Sequence, residues 1–121
     1  MLSNLIDIIP VLPSSDIARD VKWYKEMAGF ECSYADKMYA VLYRDDLCLH
    51  LQWHADTTND PLLGGSVIRI CVTDIHSIFE EFVQKETVKK DKLVLNTAWG
   101  TNEFGFFDLN KNAIFFVQDL S

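Results

Sequence analysis

The chain has 121 residues, of which 49% are hydrophobic and 24% charged, a length and balance that fit one globular domain with a real core. Its formal net charge of −7 offers no basic face for phosphates, which argues against a nucleic-acid partner. No apolar run approaches the ~18 residues that a membrane-spanning helix needs. The stretch Met1 to Pro13 has no basic region ahead of its apolar part and no small-residue cleavage site, so it does not read as a signal peptide and the expected location is the cytoplasm.

In chain order, Leu5 to Leu12 is apolar and rich in isoleucine and reads as a strand. Pro10 removes a ladder donor, which puts this strand at an edge or a bulge. Ile17, Val21, Tyr24 and Ala28 then recur at helical intervals. Ser14, Ser15 and Asp16 offer N-caps, and Gly29 fits a C-terminal stop. Glu31 to Ala35 is a weaker strand. Met38 to Arg44 and Leu47 to Trp53 flank Asp45-Asp46, a tight hairpin signal. His54 to Gly65 is polar and without period, and reads as a linker. Ser66 to Val72 is a strand, followed by a second helix whose stripe is Ile75, Ile78, Phe79, Phe82 and Val83, capped by Thr73 or Asp74. Gln84 to Lys92 is a polar connection. Leu93 to Thr97, Asn102 to Phe107 and Ala113 to Gln118 complete the strands, with Asp108 to Asn112 as the turn between the last two.

The two parts, about 4–53 and 66–118, share the order strand, helix, strand, strand, strand. Ile17, Val21 and Tyr24 recur at one constant offset as Ile75, Phe79 and Phe82, and Asp16 as Asp74. This suggests a duplicated unit. Neither half would bury enough surface alone, so 1–121 is expected to be a single α+β domain. Two βαβββ modules would form a curved mixed sheet, a cup, with the helices outside.

Alternation along Leu47 to Trp53 places Leu47, Leu49, Leu51 and Trp53 on one face and Cys48, His50, Gln52 and His54 on the other. The first face should lie under a helix. The second, half polar, suits the wall of a binding cavity. Both faces of Ala113 to Gln118 are apolar and should both be buried. Cys32, Cys48 and Cys71 are odd in number and not closely spaced, which argues against a disulfide framework or a Cys-rich zinc site; Cys48 and Cys71 read as small buried hydrophobes. No nucleophile motif or phosphate loop is present, so no catalytic residue is assigned. His76, beside the stripe of the second helix, reads as a surface residue.

Several stretches carry a family likeness. They are Ile9-Pro-Val-Leu-Pro-Ser-Ser-Asp-Ile17 with Trp23-Tyr24 and Gly29-Phe30; Arg44-Asp-Asp-Leu-Cys-Leu-His-Leu51; and Ala98-Trp-Gly-Thr-Asn-Glu-Phe104 with Ala113-Ile-Phe-Phe-Val117. In this order the chain resembles the glyoxalase/bleomycin resistance protein/dioxygenase superfamily, the vicinal oxygen chelate fold, and is most similar to its bleomycin resistance subgroup. That resemblance implies a homodimer holding a small organic, cationic drug in aromatic grooves between subunits. By position it implies ligand contacts at Tyr34, Tyr39, His50, Gln52, Trp99, Phe104 and Phe115. Metal-dependent relatives take ligands from four strand positions, which fall here at Ile8 or Ile9, His50, Val67, and Phe115 or Phe116. Only His50 can coordinate, whereas a catalytic divalent site needs about three protein ligands. The expectation is a binding protein without metal or cofactor. The rival reading is a lyase, isomerase or dioxygenase with rearranged ligands, for which His50, Gln52 and His54 share a strand face.

Overall fold

The computed structural model describes residues 4–121; Met1 to Ser3, the start of the stretch read above as no signal peptide, lie outside the described residues. The first helix, α1 (Ile17–Ala28), follows β1 (Val11–Ser14). Asp16 is extended and its carboxylate accepts from the Arg19 N–H at 3.1 Å, satisfying one of the unpaired amides of the first turn. Gly29 ends the helix at φ 74°, a left-handed conformation that a Cβ would strain. Ile17, Tyr24 and Ala28 are buried on one side of it, and Val21 packs against the same core. The second helix, α2 (Ile75–Gln84), is capped by Asp74, whose carboxylate accepts from the His76 and Ser77 N–H groups. Among the described residues no helix is long and apolar enough to cross a membrane.

The first half adds β2 (Glu31–Ala35), β3 (Tyr39–Arg44) and β4 (Leu47–Trp53), and forms a four-stranded sheet in the order β1-β4-β3-β2. The second half adds β5 (Val67–Cys71), β6 (Thr101–Phe107) and β7 (Ala113–Asp119), a three-stranded sheet in the order β5-β7-β6. Each sheet is mixed, because its first strand runs parallel to its last, β1 with β4 and β5 with β7. The α+β class with two mixed sheets and two helices therefore holds; the repeated order is complete in the first half, and the second has two strands after its helix in place of three.

One core joins the halves. Leu12, Tyr24, Ala40, Leu42, Leu49 and Leu51 from the first half and Ile75, Phe82, Phe104, Ile114 and Phe116 from the second belong to a single buried cluster. Its centre is aromatic: Phe82 lies 4.9 Å from Phe116, and Phe104 stacks on Phe116 at 5.4 Å. Trp23 reaches across to Phe106 at 6.1 Å. Such offset and tilted pairs add about 0.5–1.5 kcal/mol each beyond their burial.

A polar clip runs beside this core. The Tyr24 hydroxyl donates to Asp108 Oδ2 at 2.5 Å. The other oxygen of Asp108 accepts from the backbone N–H groups of Asn110 and Asn112. Asn112 Nδ2 donates to Asp108 and to the Pro13 carbonyl, and Asn110 Nδ2 donates to Asp20, which also accepts from Ser14. The turn between β6 and β7 is thereby tied to the start of α1. On the other side Arg44 donates to the Ala28 carbonyl and to Glu81, and Thr87 donates to the Met27 carbonyl at 2.6 Å.

Several sequence expectations are corrected. The first strand begins at Val11, not Leu5: Pro10 has no N–H to give, and Asn4 to Ile9 are exposed. Leu93 to Thr97 forms one isolated bridge, Val94 with Glu103, rather than a strand. The residues supply the reason, since Asn96 turns at φ 52° and Trp99 and Gly100 follow in a second turn. Leu49 and Leu51 lie in the core as expected, but Leu47 and Trp53, at the strand ends, are 47% and 40% exposed. Cys48 is only half-buried and Cys71 is exposed, because both alternate onto the faces that the helices do not cover. Ala113, Ile114, Phe116 and Val117 of the last strand are buried, with Phe115 intermediate. His76 is on the surface as expected.

Burial and the neighbouring Asp108 carboxylate push the Tyr24 phenol above its ordinary value. A phenol that is harder to ionise in the folded state contributes stability fully present below about pH 10, the unfolded value, and lost as the pH rises beyond it. Tyr24→Phe should lower stability at pH 7 by about 1–3 kcal/mol, since it leaves a buried carboxylate short of a donor, and should flatten the alkaline fall. Denaturant melts of both proteins at pH 7 and pH 10.5 check this.

Candidate functional site

Alternation that sends Leu42, Leu49, Leu51, Phe104 and Phe116 into the core sends their neighbours to the opposite faces. On the first sheet, Tyr34, Val41, His50 and Val11 are aligned across β2, β3, β4 and β1. Tyr39 and Gln52 form the next pair. The Tyr39 hydroxyl and His50 Nδ1 share a hydrogen bond of 2.7 Å, with the rings edge to face at 5.2 Å. The Tyr34 hydroxyl donates to Asp36 at 2.5 Å, and Asp36 also accepts from the Met38 and Tyr39 N–H groups. The fold therefore brings Tyr34, Tyr39, His50 and Gln52 together on one open face. His54 turns away from it: its Nδ1 accepts from the Asp56 N–H and its Nε2 lies 3.4 Å from Asp60.

On the second sheet the corresponding rows are Arg69, Phe115 and Gly105, then Cys71, Val117 and Glu103. Glu103 is buried, and its Oε2 accepts from Arg69 at 2.9 Å, Trp99 Nε1 at 3.1 Å and Thr101 Oγ1 at 2.7 Å. The Arg69 guanidinium lies 5.6 Å over the Phe115 ring, a cation–π geometry. A Cβ on residue 105 would come within 2.5 Å of that ring, so Gly105 is what lets Phe115 lie across β6. Phe104 is corrected: it is 2% exposed and stacked in the core, because it alternates with Glu103 and must take the opposite face.

Among the described residues, no cavity is lined by both His50 and Trp99, and the two faces meet only at the edge where Cys48 of β4 comes near Arg69 and Cys71 of β5. The cavity of about 620 Å³ at the start of α1 is lined by Ser15, Asp16, Val21, Asp36, Lys37 and Trp53, on neither open face. One of about 300 Å³ between β4 and β5 is lined by Cys48, Arg69 and Cys71 with Asp7 and Asp46. The cavity expected around His50 and Trp99 is thus two separate walls, with Trp99 68% and Tyr34 54% exposed. Among the described residues no group of three His, Cys, Asp or Glu is placed to hold a metal ion. Of the positions that the resemblance matches to metal ligands, Val67 and Phe115 lie on the open face of the second sheet, Phe116 is in the core, and Ile8 and Ile9 precede β1. Sequence reading missed Arg69 and the part played by Glu103. The available signal was one arginine alternating inside Val67-Ile-Arg-Ile-Cys71, where burial of both faces would have forbidden it.

No family model matches the chain. It is 22% identical over 130 residues to a bleomycin resistance protein of Geobacillus stearothermophilus, covering 96% of this chain and 98% of that one. A solved bleomycin-binding protein from bleomycin-producing Streptomyces verticillus, complexed with copper(II)-bleomycin, superposes with a TM-score of 0.74 at 23% identity, over 95% of this chain and 97% of that one. A glyoxalase/bleomycin resistance protein/dioxygenase from Nocardioides gives 0.77 at 12% identity, over 100% and 87%. The chain resembles bleomycin resistance proteins along nearly its whole length and has the fold of that superfamily.

Arg69, then the hydrogen bonds from Thr101 and Trp99, hold the Glu103 carboxyl below its ordinary range against the opposing effect of burial. A lowered carboxyl contributes stability that is present above about pH 4.3 and lost as the pH falls through its folded value. Trp99 fluorescence, taken as the difference between the protein and its Glu103→Gln variant, should therefore titrate with a midpoint below pH 4.3; a midpoint above it would show that burial outweighs the donors.

Proposed function

We propose that the chain is a small-molecule-binding protein that sequesters an aromatic, cationic antibiotic stoichiometrically, in a groove completed by a second copy. The observation that carries this reading is the incompleteness of each wall. Tyr34, Tyr39, His50 and Gln52 face one way from the first sheet, Trp99 and Phe115 from the second, and no helix covers either. Val67 and Phe107, 57% and 67% exposed, extend the second wall as an apolar surface suited to burial against a partner. Apposing the first sheet of one copy to the second sheet of another would give two grooves lined by aromatic faces. Each aromatic contact with a flat, cationic ligand contributes about 0.5–2 kcal/mol. The negative net charge favours such a ligand at long range, and the names of the similar proteins point to drug binding.

The reading needs no metal and no catalytic residue. Ile9, Val67 and Phe115 cannot coordinate a cation, and His50 Nδ1 is already engaged by Tyr39. A metal-dependent enzyme would need ligands the faces do not group. The site of action proposed is the cytoplasm.

Light scattering should give twice the chain mass of 13.9 kDa. Isothermal titration should show binding of bleomycin tighter than about 1 mM, weakened roughly tenfold by Trp99→Ala. Absence of binding at that concentration would sink drug sequestration. A stoichiometric divalent ion in protein purified without added metal, lost on His50→Ala, would support an enzyme instead.

A further inference from the structure

The two walls differ in one chemical respect. Where the first sheet pairs Val11 with His50, the second pairs Arg69 with Phe115. Arg69 is held in place: its Nη2 donates to Glu103, which is itself fixed by Thr101 and Trp99, and its guanidinium carbon lies 5.6 Å from the centre of the Phe115 ring. A guanidinium has five N–H donors in a rigid fork, and the side chain bonded to Glu103 is 44% exposed. Phe115 also lines a cavity of about 550 Å³ with Lys89, Lys92, Gly105 and Phe107, whereas Asp7 and Asp46 share with Arg69 the cavity of about 300 Å³ at the β4–β5 edge. Arg69 is thus the cation placed against the Phe115 ring of the groove wall.

We infer that Arg69 reads an anionic group on the ligand, so that the molecule bound carries a carboxylate or comparable oxyanion beside its aromatic portion. This rests on the groove reading above and adds to it. Aromatic faces select a flat, cationic body, and Arg69 selects an acidic substituent through hydrogen bonds in which both partners are charged. Glu103 acts as a positioning residue, orienting the fork without touching the ligand.

Three indole probes separate the possibilities by isothermal titration: indole-3-acetate, its neutral amide indole-3-acetamide, and the cation tryptamine. The folded protein should bind the acetate about tenfold more tightly than the amide. Arg69→Gln should erase that preference, bringing acetate and amide to equal affinity, and Glu103→Gln should reduce it. Circular dichroism confirms that each variant is folded. Equal affinity for acetate and amide, or a preference that survives Arg69→Gln, overturns the assignment of Arg69 and leaves the groove standing. Failure of all three probes to bind overturns the groove reading and the assignment with it.

Discussion

The hydrogen bond from Tyr24 to Asp108 spans 84 residues of chain and decides which sides of the two sheets meet. Tyr24 is fully buried on α1, and its hydroxyl can be buried only if an acceptor comes with it. Asp108 is that acceptor, and it is fixed in turn by the amides of the β6–β7 turn and by Asn112. The bond therefore locks the helical side of the first half to the hairpin of the second. Trp23 against Phe106 and Arg44 against Glu81 continue the join. Everything at the candidate site follows by exclusion: with the helical sides spent on each other, the residues that alternate away from them are left facing outward.

The helices were legible in the sequence because each has a full apolar stripe and an aspartate cap, and Gly29 has no rival role. The hairpin at Asp45-Asp46 was legible for the same local reason. The first strand was misjudged because Leu5 to Ile9 are as apolar as any strand, and only pairing partners distinguish a strand from an exposed extended segment. Leu93 to Thr97 failed for a related reason: Leu93 to Leu95 are apolar enough for a strand, but a turn at Asn96 halts the ladder after one bridge. Phe104 was carried over from a motif in which it adjoins Glu103. Strand alternation, applied to that motif, would have sent it to the core.

The open faces were legible in part. Tyr39, His50 and Gln52 share a strand face by simple counting, and the fold does group them. The ion pair of Arg69 with Glu103 was not legible, since its members lie 34 residues apart and neither carries a motif that names the other. Their association depends on β7 running between β5 and β6, a fact of topology rather than of local sequence. Glu103 tolerates its burial because three donors replace the water it gives up, which is the general condition for an ionised group away from solvent.

The shared core has a consequence for how such a chain can change. A residue in Phe82, Phe104 or Phe116 answers to neighbours from both repeats, so drift there must be matched elsewhere and is slow. A residue such as Val11 or Arg69 lies outside that cluster. The repeat thus leaves two outward faces on one shared core, and they carry different side chains: tyrosine and histidine on one, arginine and glutamate on the other. New specificities on this scaffold can arise by editing one copy at a time, without renegotiating the interior that keeps both in place.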